Sequence, residues 1–181
     1  MTEALFVANY IIEYCNNHKL EINNLRIQKL LYFINARSLV ENGSPLFQDK
    51  IEKWKFGPVV PKVYHEYKKF GASTISKEDI STQVWKFNFN VSPFGEESPI
   101  EVLTYNKEEF SENQIQLIES TILALKKYNT FKLVDFTHED DMWKSDNQLI
   151  MSGEKGLTYD NNEIKDFFIS HTESQIWNNG K

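Results

Sequence analysis

Residues 24–42, NLRIQKLLYFINARSLVEN, set Ile27, Leu30, Leu31 and Ile34 at i, i+3, i+4 and i+7. That spacing gathers four apolar side chains on one helical face, and such a stripe must be covered by another layer. A helix is predicted over Asn24–Asn42, with Asn23 or Asn24 capping its start and Gly43, Ser44 and Pro45 ending it. A second stripe precedes it. Ala4, Val7, Ile11 and Tyr14 predict a helix over Thr2–His18, ending at Asn16-Asn17. Two amphipathic helices at the head of a chain of 181 residues commit it to helix-on-helix packing. A chain of this length buries roughly 70% of its unfolded surface, enough for one core. The presence of only 7 Gly and 5 Pro argues against a many-turned all-β sandwich.

Farther along, the pattern alternates. Trp54 and Phe56 oppose Lys53 and Lys55, predicting a short strand over Ile51–Phe56 that Gly57-Pro58 stops. Pro61 suits the first turn of a helix whose stripe is Val63, Tyr67 and Phe70, with Gly71 as cap. In Val84–Val91, Trp85, Phe87, Phe89 and Val91 face one way and Lys86, Asn88 and Asn90 the other. After a loop over Ser92–Pro99, Ile100–Tyr105 completes a hairpin. The Trp54 strand is expected beside it, because an isolated two-stranded hairpin is marginal in water. Ser111 and Gln114 form a capping box before Ile115, Ile118, Ile122 and Leu125. Thr130 is read as the cap of a helix over Phe131–His138. Asp146–Tyr159 is weakly patterned, and a last helix spans Asn161–Ser170 with Ile164, Phe167 and Phe168. The fold class is α+β, mainly α: a compact helical domain with a small antiparallel β-sheet. Residues 1–172 form a single domain, and 173–181 are read as a polar, frayed tail apart from Ile176 and Trp177.

The formal net charge of −6 disfavours nucleic acid, and three cations read on the surface of the second helix, Arg26, Lys29 and Arg37, are too few to reverse it. The single cysteine, Cys15, excludes an internal disulfide, fits a reducing cytosol and falls on the apolar side of the first helix, where an inert buried thiol is expected. No apolar run approaches the roughly 20 residues of a membrane span. The start, Met1-Thr2-Glu3-Ala4, lacks a signal peptide's basic region. A cytoplasmic protein with no membrane partner is expected.

Enzyme signatures fail on spacing. His65-Glu66 opens like a helical zinc-protease motif, but Lys69 stands where the second histidine belongs. Gly153-Glu154-Lys155-Gly156 lacks the P-loop spacing and reads as a turn. Thr137-His138-Glu139-Asp140-Asp141 holds oxygen and imidazole donors that suit a divalent cation, the basis of a metal-dependent hydrolase reading. Consecutive residues, however, cannot all point at one ion. The expectation is a protein without catalytic residues, metal or cofactor.

What remains is Ile51–Gly71, IEKWKFGPVVPKVYHEYKKFG, which compresses a strand, a Gly-Pro corner and an aromatic helix into a short stretch. It reads either as a structural corner with its aromatics in the core, or as a rigid loop presenting Lys55, Phe56 and Tyr64 to a partner. Trp54-Lys55-Phe56-Gly57-Pro58-Val59-Val60-Pro61, followed by Val63-Tyr64, resembles the W-x-[YF]-G-P-V-x-P-x-V-Y signature of the Panacea domain. That family is also described as SocA-like antitoxins or phage-associated GepA-like proteins. Gln28-Lys29-Leu30-Leu31-Tyr32-Phe33 agrees with its upstream Q-K-L-L-Y-F helix, and Thr137-His138 with Trp143 agrees with its late T-H…W element. Met142 stands where members often carry proline. The resemblance spans about residues 3 to 145.

The resemblance implies a bacterial, prophage or phage antitoxin that neutralises a toxin encoded nearby by direct binding. Toxins of such antitoxins include alarmone-synthetase-like enzymes. One branch of the family instead acts as a proteolytic adaptor, delivering its toxin to an ATP-dependent protease. Lys55, Phe56, Gly57, Pro58 and Tyr64 become the candidate toxin-binding residues. A homodimer or a toxin–antitoxin hetero-oligomer is consistent with the abundant aromatics. An acidic inhibitor would complement a toxin with a cationic cleft.

Overall fold

The stripe at Asn24–Asn42 is a helix, but one buried on nearly every side. Described in a computed structural model covering residues 2–87 and 100–178, the chain begins with α1 (Ala4–Asn17) and α2 (Asn24–Asn42). Asn23 caps α2 by accepting from the Arg26 amide at 2.9 Å, and Gly43 ends it at φ +73°. Beyond the predicted face, Gln28, Lys29, Tyr32, Phe33 and Ala36 are also buried. A helix enclosed all round must be the centre of a bundle, and α2 touches α1 and most of the helices that follow.

Next come β1 (Glu52–Trp54) and β2 (Gly57–Val59), which pair antiparallel with Trp54 opposite Gly57. This corrects two expectations. Gly57-Pro58 does not stop a strand but begins its partner, and β1 does not join the later hairpin. A two-residue turn, Lys55-Phe56, brings β2 to the edge of β1 at little loop-closure cost. The other edge of β1 meets residues 157–159: the Lys53 amide donates to the Leu157 carbonyl at 2.8 Å, and Tyr159 to Ile51 at 2.9 Å. Helix packing stabilises this small sheet in place of a third strand. From Val60, α3 (Pro61–Tyr67) leads off with Pro61 in its first turn.

The second sheet pairs β3 (Gln83–Phe87) with β4 (Ile100–Thr104). Its inward face carries Val84, while Trp85 is 58% exposed opposite the exposed Val102. Trp85 is therefore on the outer face of this strand. The rest of the predicted strand, Asn88–Val91, and the loop Ser92–Pro99 lie outside the described residues.

α4 (Glu112–Leu125) opens with the predicted capping box, the Gln114 side chain accepting from the Ser111 amide at 2.9 Å. α5 (Thr130–His138) is capped by Asn129 rather than Thr130, through the Lys132 amide at 2.8 Å. The weakly patterned stretch forms two short helices, α6 (Asp141–Ser145) and α7 (Asn147–Ser152), before α8 (Asn161–Ser170). The tail packs on the domain through the two apolar residues read in it. Ile176 and Trp177 are buried, with Trp177 against Phe168 at a ring separation of 5.1 Å. The whole is mainly α with a small β component. Among the described residues, no helix is long and apolar enough to cross a membrane.

Candidate functional site: the Trp54–Tyr64 corner

Three sequence stretches far apart in the chain meet at the β1–β2 hairpin. From α2, the Lys29 amine donates to the Pro58 carbonyl at 2.9 Å. One residue earlier, the Gln28 side-chain carbonyl accepts from the Val60 amide at 2.8 Å. Gln28 also donates to Asn24 at 3.0 Å, and Asn24 donates to the Tyr64 carbonyl at 3.1 Å. A ladder of side-chain amides thus fixes both the exit of β2 and the first turns of α3. Lys29 was expected on the surface, among cations facing solvent. Instead it is fully buried, and burial holds its amine well below the ordinary lysine range. Arg26 is likewise turned inward, donating to the Leu125 and Tyr128 carbonyls at the end of α4.

From the other side come α5 and α6. Thr137 lies so close to Gly57 that a Cβ there would sit 2.3 Å from its Oγ1 and 2.9 Å from the Lys29 amine. Gly57 has φ +86°, whereas Lys55 and Phe56 keep negative φ. The turn therefore needs a left-handed residue after it, and the crowding forbids a side chain on that residue. The Trp143 indole donates to the Trp54 carbonyl at 2.9 Å, and the His138 ring stacks on Trp143 at 3.9 Å. Burial lowers the His138 pKa.

The acidic run after α5 splits. Asp140 is buried, accepts from the Tyr32 hydroxyl and caps α6 through the Met142 amide at 2.7 Å, while Glu139 and Asp141 are exposed. Burial raises the Asp140 pKa, against the pull of those hydrogen bonds. Met142 supplies an N–H that a proline would lack. Among the described residues, no group of three His, Cys, Asp or Glu side chains is arranged to hold a metal. Cys15 is buried, and burial pushes its thiol up to about 11.

The candidate residues divide accordingly. Gly57 and Pro58 are buried parts of the scaffold. Lys55 and Phe56 form the exposed tip, Phe56 at 51%. Tyr64 is half-buried, packed edge-on against Trp54 at 4.8 Å, and the Trp54 indole donates to Glu52 at 2.8 Å. Reading the sequence did not single out Gln28 and Lys29 as clamps. Their signal was polar side chains close beside the apolar face of a helix without room for water.

Neither Lys55 nor Lys68, which faces the tip from the end of α3, has a carboxylate within 4.0 Å among the described residues.

The sequence profile described as "Antitoxin SocA-like, Panacea domain" matches residues 27–144, a span that contains all three converging stretches. The curated protein Antitoxin SocA of Caulobacter vibrioides (strain NA1000 / CB15N) is 39% identical over 82 residues, covering 45% of this chain and 44% of that protein. The chain thus spans under half the length of that relative. No solved structure matches it.

Proposed function

The chain belongs to the SocA-like antitoxin, Panacea-domain family, and from that premise we propose that it neutralises a toxin encoded nearby by binding it directly, in the cytoplasm. Its relative in Caulobacter vibrioides is named an antitoxin. The toxin we propose is an enzyme of the alarmone-synthetase-like class, held in a hetero-oligomer. The contact surface is the tip Lys55–Phe56 together with Tyr64. One observation carries this reading: the tip is exposed while the backbone on both sides of it is locked from behind by Lys29, Gln28 and Trp143. A preorganised aromatic tip loses little freedom on binding, and aromatics at the centre of an interface carry much of its energy.

The test is to purify the product of the neighbouring gene and assay its activity with and without this protein, in the absence of proteases. Equimolar protection supports occlusion by binding. Failure to form a complex, or inhibition that is catalytic in this protein, overturns it. Protection only in cells with an intact ATP-dependent protease would assign the protein to the adaptor branch.

A further inference from the structure

We propose that the recess between α2 and the hairpin tip seats one aromatic or aliphatic side chain of a partner protein, with a carboxylate of the same partner segment reaching Lys55 and Lys68. This rests on the reading that the corner is a protein-binding face, and adds the chemistry of what it binds.

The recess measures about 280 Å³ and is lined by Leu25, Trp54, Phe56 and Tyr64, with Lys55 and Lys68 at its edge. Small-molecule sites usually run from about 300 to 1,000 Å³ and carry a few free polar groups to orient the ligand. This one is at the lower limit, and the side-chain amides in its lining are engaged elsewhere. Gln28 spends its side chain on Val60 and Asn24, and Asn24 on Gln28 and Tyr64. An apolar hollow of this size without a free amide suits one inserted side chain better than a metabolite.

Charge selects the rest of the partner. The whole chain carries −6, which would favour a basic partner. Screening limits that field to about 8 Å at physiological salt, so the nearest charges decide what docks here. The charged side chains that line the recess are Lys55 and Lys68, and neither has a carboxylate within 4.0 Å among the described residues. The complement is an apolar residue flanked by Asp or Glu.

The experiment selects a phage-displayed library of random twelve-residue peptides on the full-length protein. The enriched peptides are then titrated by fluorescence polarisation against three proteins: the natural chain, Phe56→Ala, and the double variant Lys55→Glu/Lys68→Glu. All three substitutions are at exposed positions, and matching thermal melts verify the folds. The expected result is enrichment of Trp, Phe or Leu beside Asp or Glu, binding that weakens with salt, and at least a tenfold loss in either variant. No enrichment, enrichment of basic peptides, or affinities unchanged in both variants would overturn the proposal. A dimer of the natural chain that Phe56→Ala abolishes in sedimentation would give the recess to a second copy and also overturn it. The two readings separate in the toxin assay. Neutralisation that survives the double variant overturns the recess and leaves the antitoxin reading standing. Acidic-apolar peptide binding by a chain that protects against no neighbouring toxin does the reverse.

Discussion

The Lys29 amine lies 2.9 Å from the Pro58 carbonyl, joining the enclosed helix α2 to the buried second strand of the hairpin. Among the described residues no carboxylate stands within 4.0 Å of that amine. A charge there would be costly, and the neutral amine is the form the fold favours.

Lys29→Met makes this visible through pH. The folded pKa lies below that of the unfolded chain, so between the two values the unfolded state holds a proton that the folded state lacks. Stability contributed by the site therefore rises with pH. Between the lowered folded value and the unfolded lysine value, the natural protein should gain on Lys29→Met by up to about 1.4 kcal/mol per pH unit. Denaturant unfolding of both proteins across that range measures the difference, and a flat difference would mean that Lys29 stays charged in the fold.

Gly57→Ala should be strongly destabilising. The φ of +86° carries a steric cost for any side chain, and the new Cβ would collide with Thr137 and Lys29. A loss of about 3 kcal/mol or more follows, lowering the melting temperature by roughly 6–12 °C in a chain of this size. An unchanged melting temperature would refute the crowding read from the corner.

Trp143→Phe keeps most of the ring and removes the donor to the Trp54 carbonyl. The expected cost is about 0.5–1.5 kcal/mol, the net worth of one hydrogen bond, since the Trp54 carbonyl is only partly buried. Melting curves of the variant check it, and no loss would mean that water satisfies the carbonyl.

Phe56→Ala and Tyr64→Ala should separate contact from scaffold. Each is expected to weaken the toxin complex by at least about 2 kcal/mol, roughly thirtyfold in affinity. Phe56, at the exposed tip, should leave the melting temperature unchanged. Tyr64 packs on Trp54, so its loss should lower both. Calorimetric titration beside thermal unfolding distinguishes them, and full affinity in both variants would move the interface elsewhere.

Trp177→Ala tests the C-terminal segment. Its ring is buried against Phe168, and truncating such a side chain costs about 3–5 kcal/mol. A frayed segment would lose nothing in the same unfolding measurement.

Local signals were legible in the residues. The stripe of α2, the capping box at Ser111 and the proline start of α3 were all readable because each rests on neighbours within a turn or two. The W-K-F-G-P-V-V-P stretch and its two companion stretches were readable as a pattern, and with them the family. Where one competing neighbour offered the better cap, as Asn129 did over Thr130, the sequence reading slipped by a residue.

Three things only the tertiary structure decided. The partner of β1 depended on a two-residue turn that lets β2 return, and pairing follows the cheapest loop closure rather than the strand's composition. Which face of β3 is buried depended on where the bundle lay, since alternation marks two faces without saying which one meets the core. The roles of Gln28 and Lys29 depended on enclosure from every side. A polar side chain on a helix is a solvated surface group until other elements remove the water. It must then find its hydrogen bonds in the backbone that has come to cover it, here the hairpin at Pro58 and Val60.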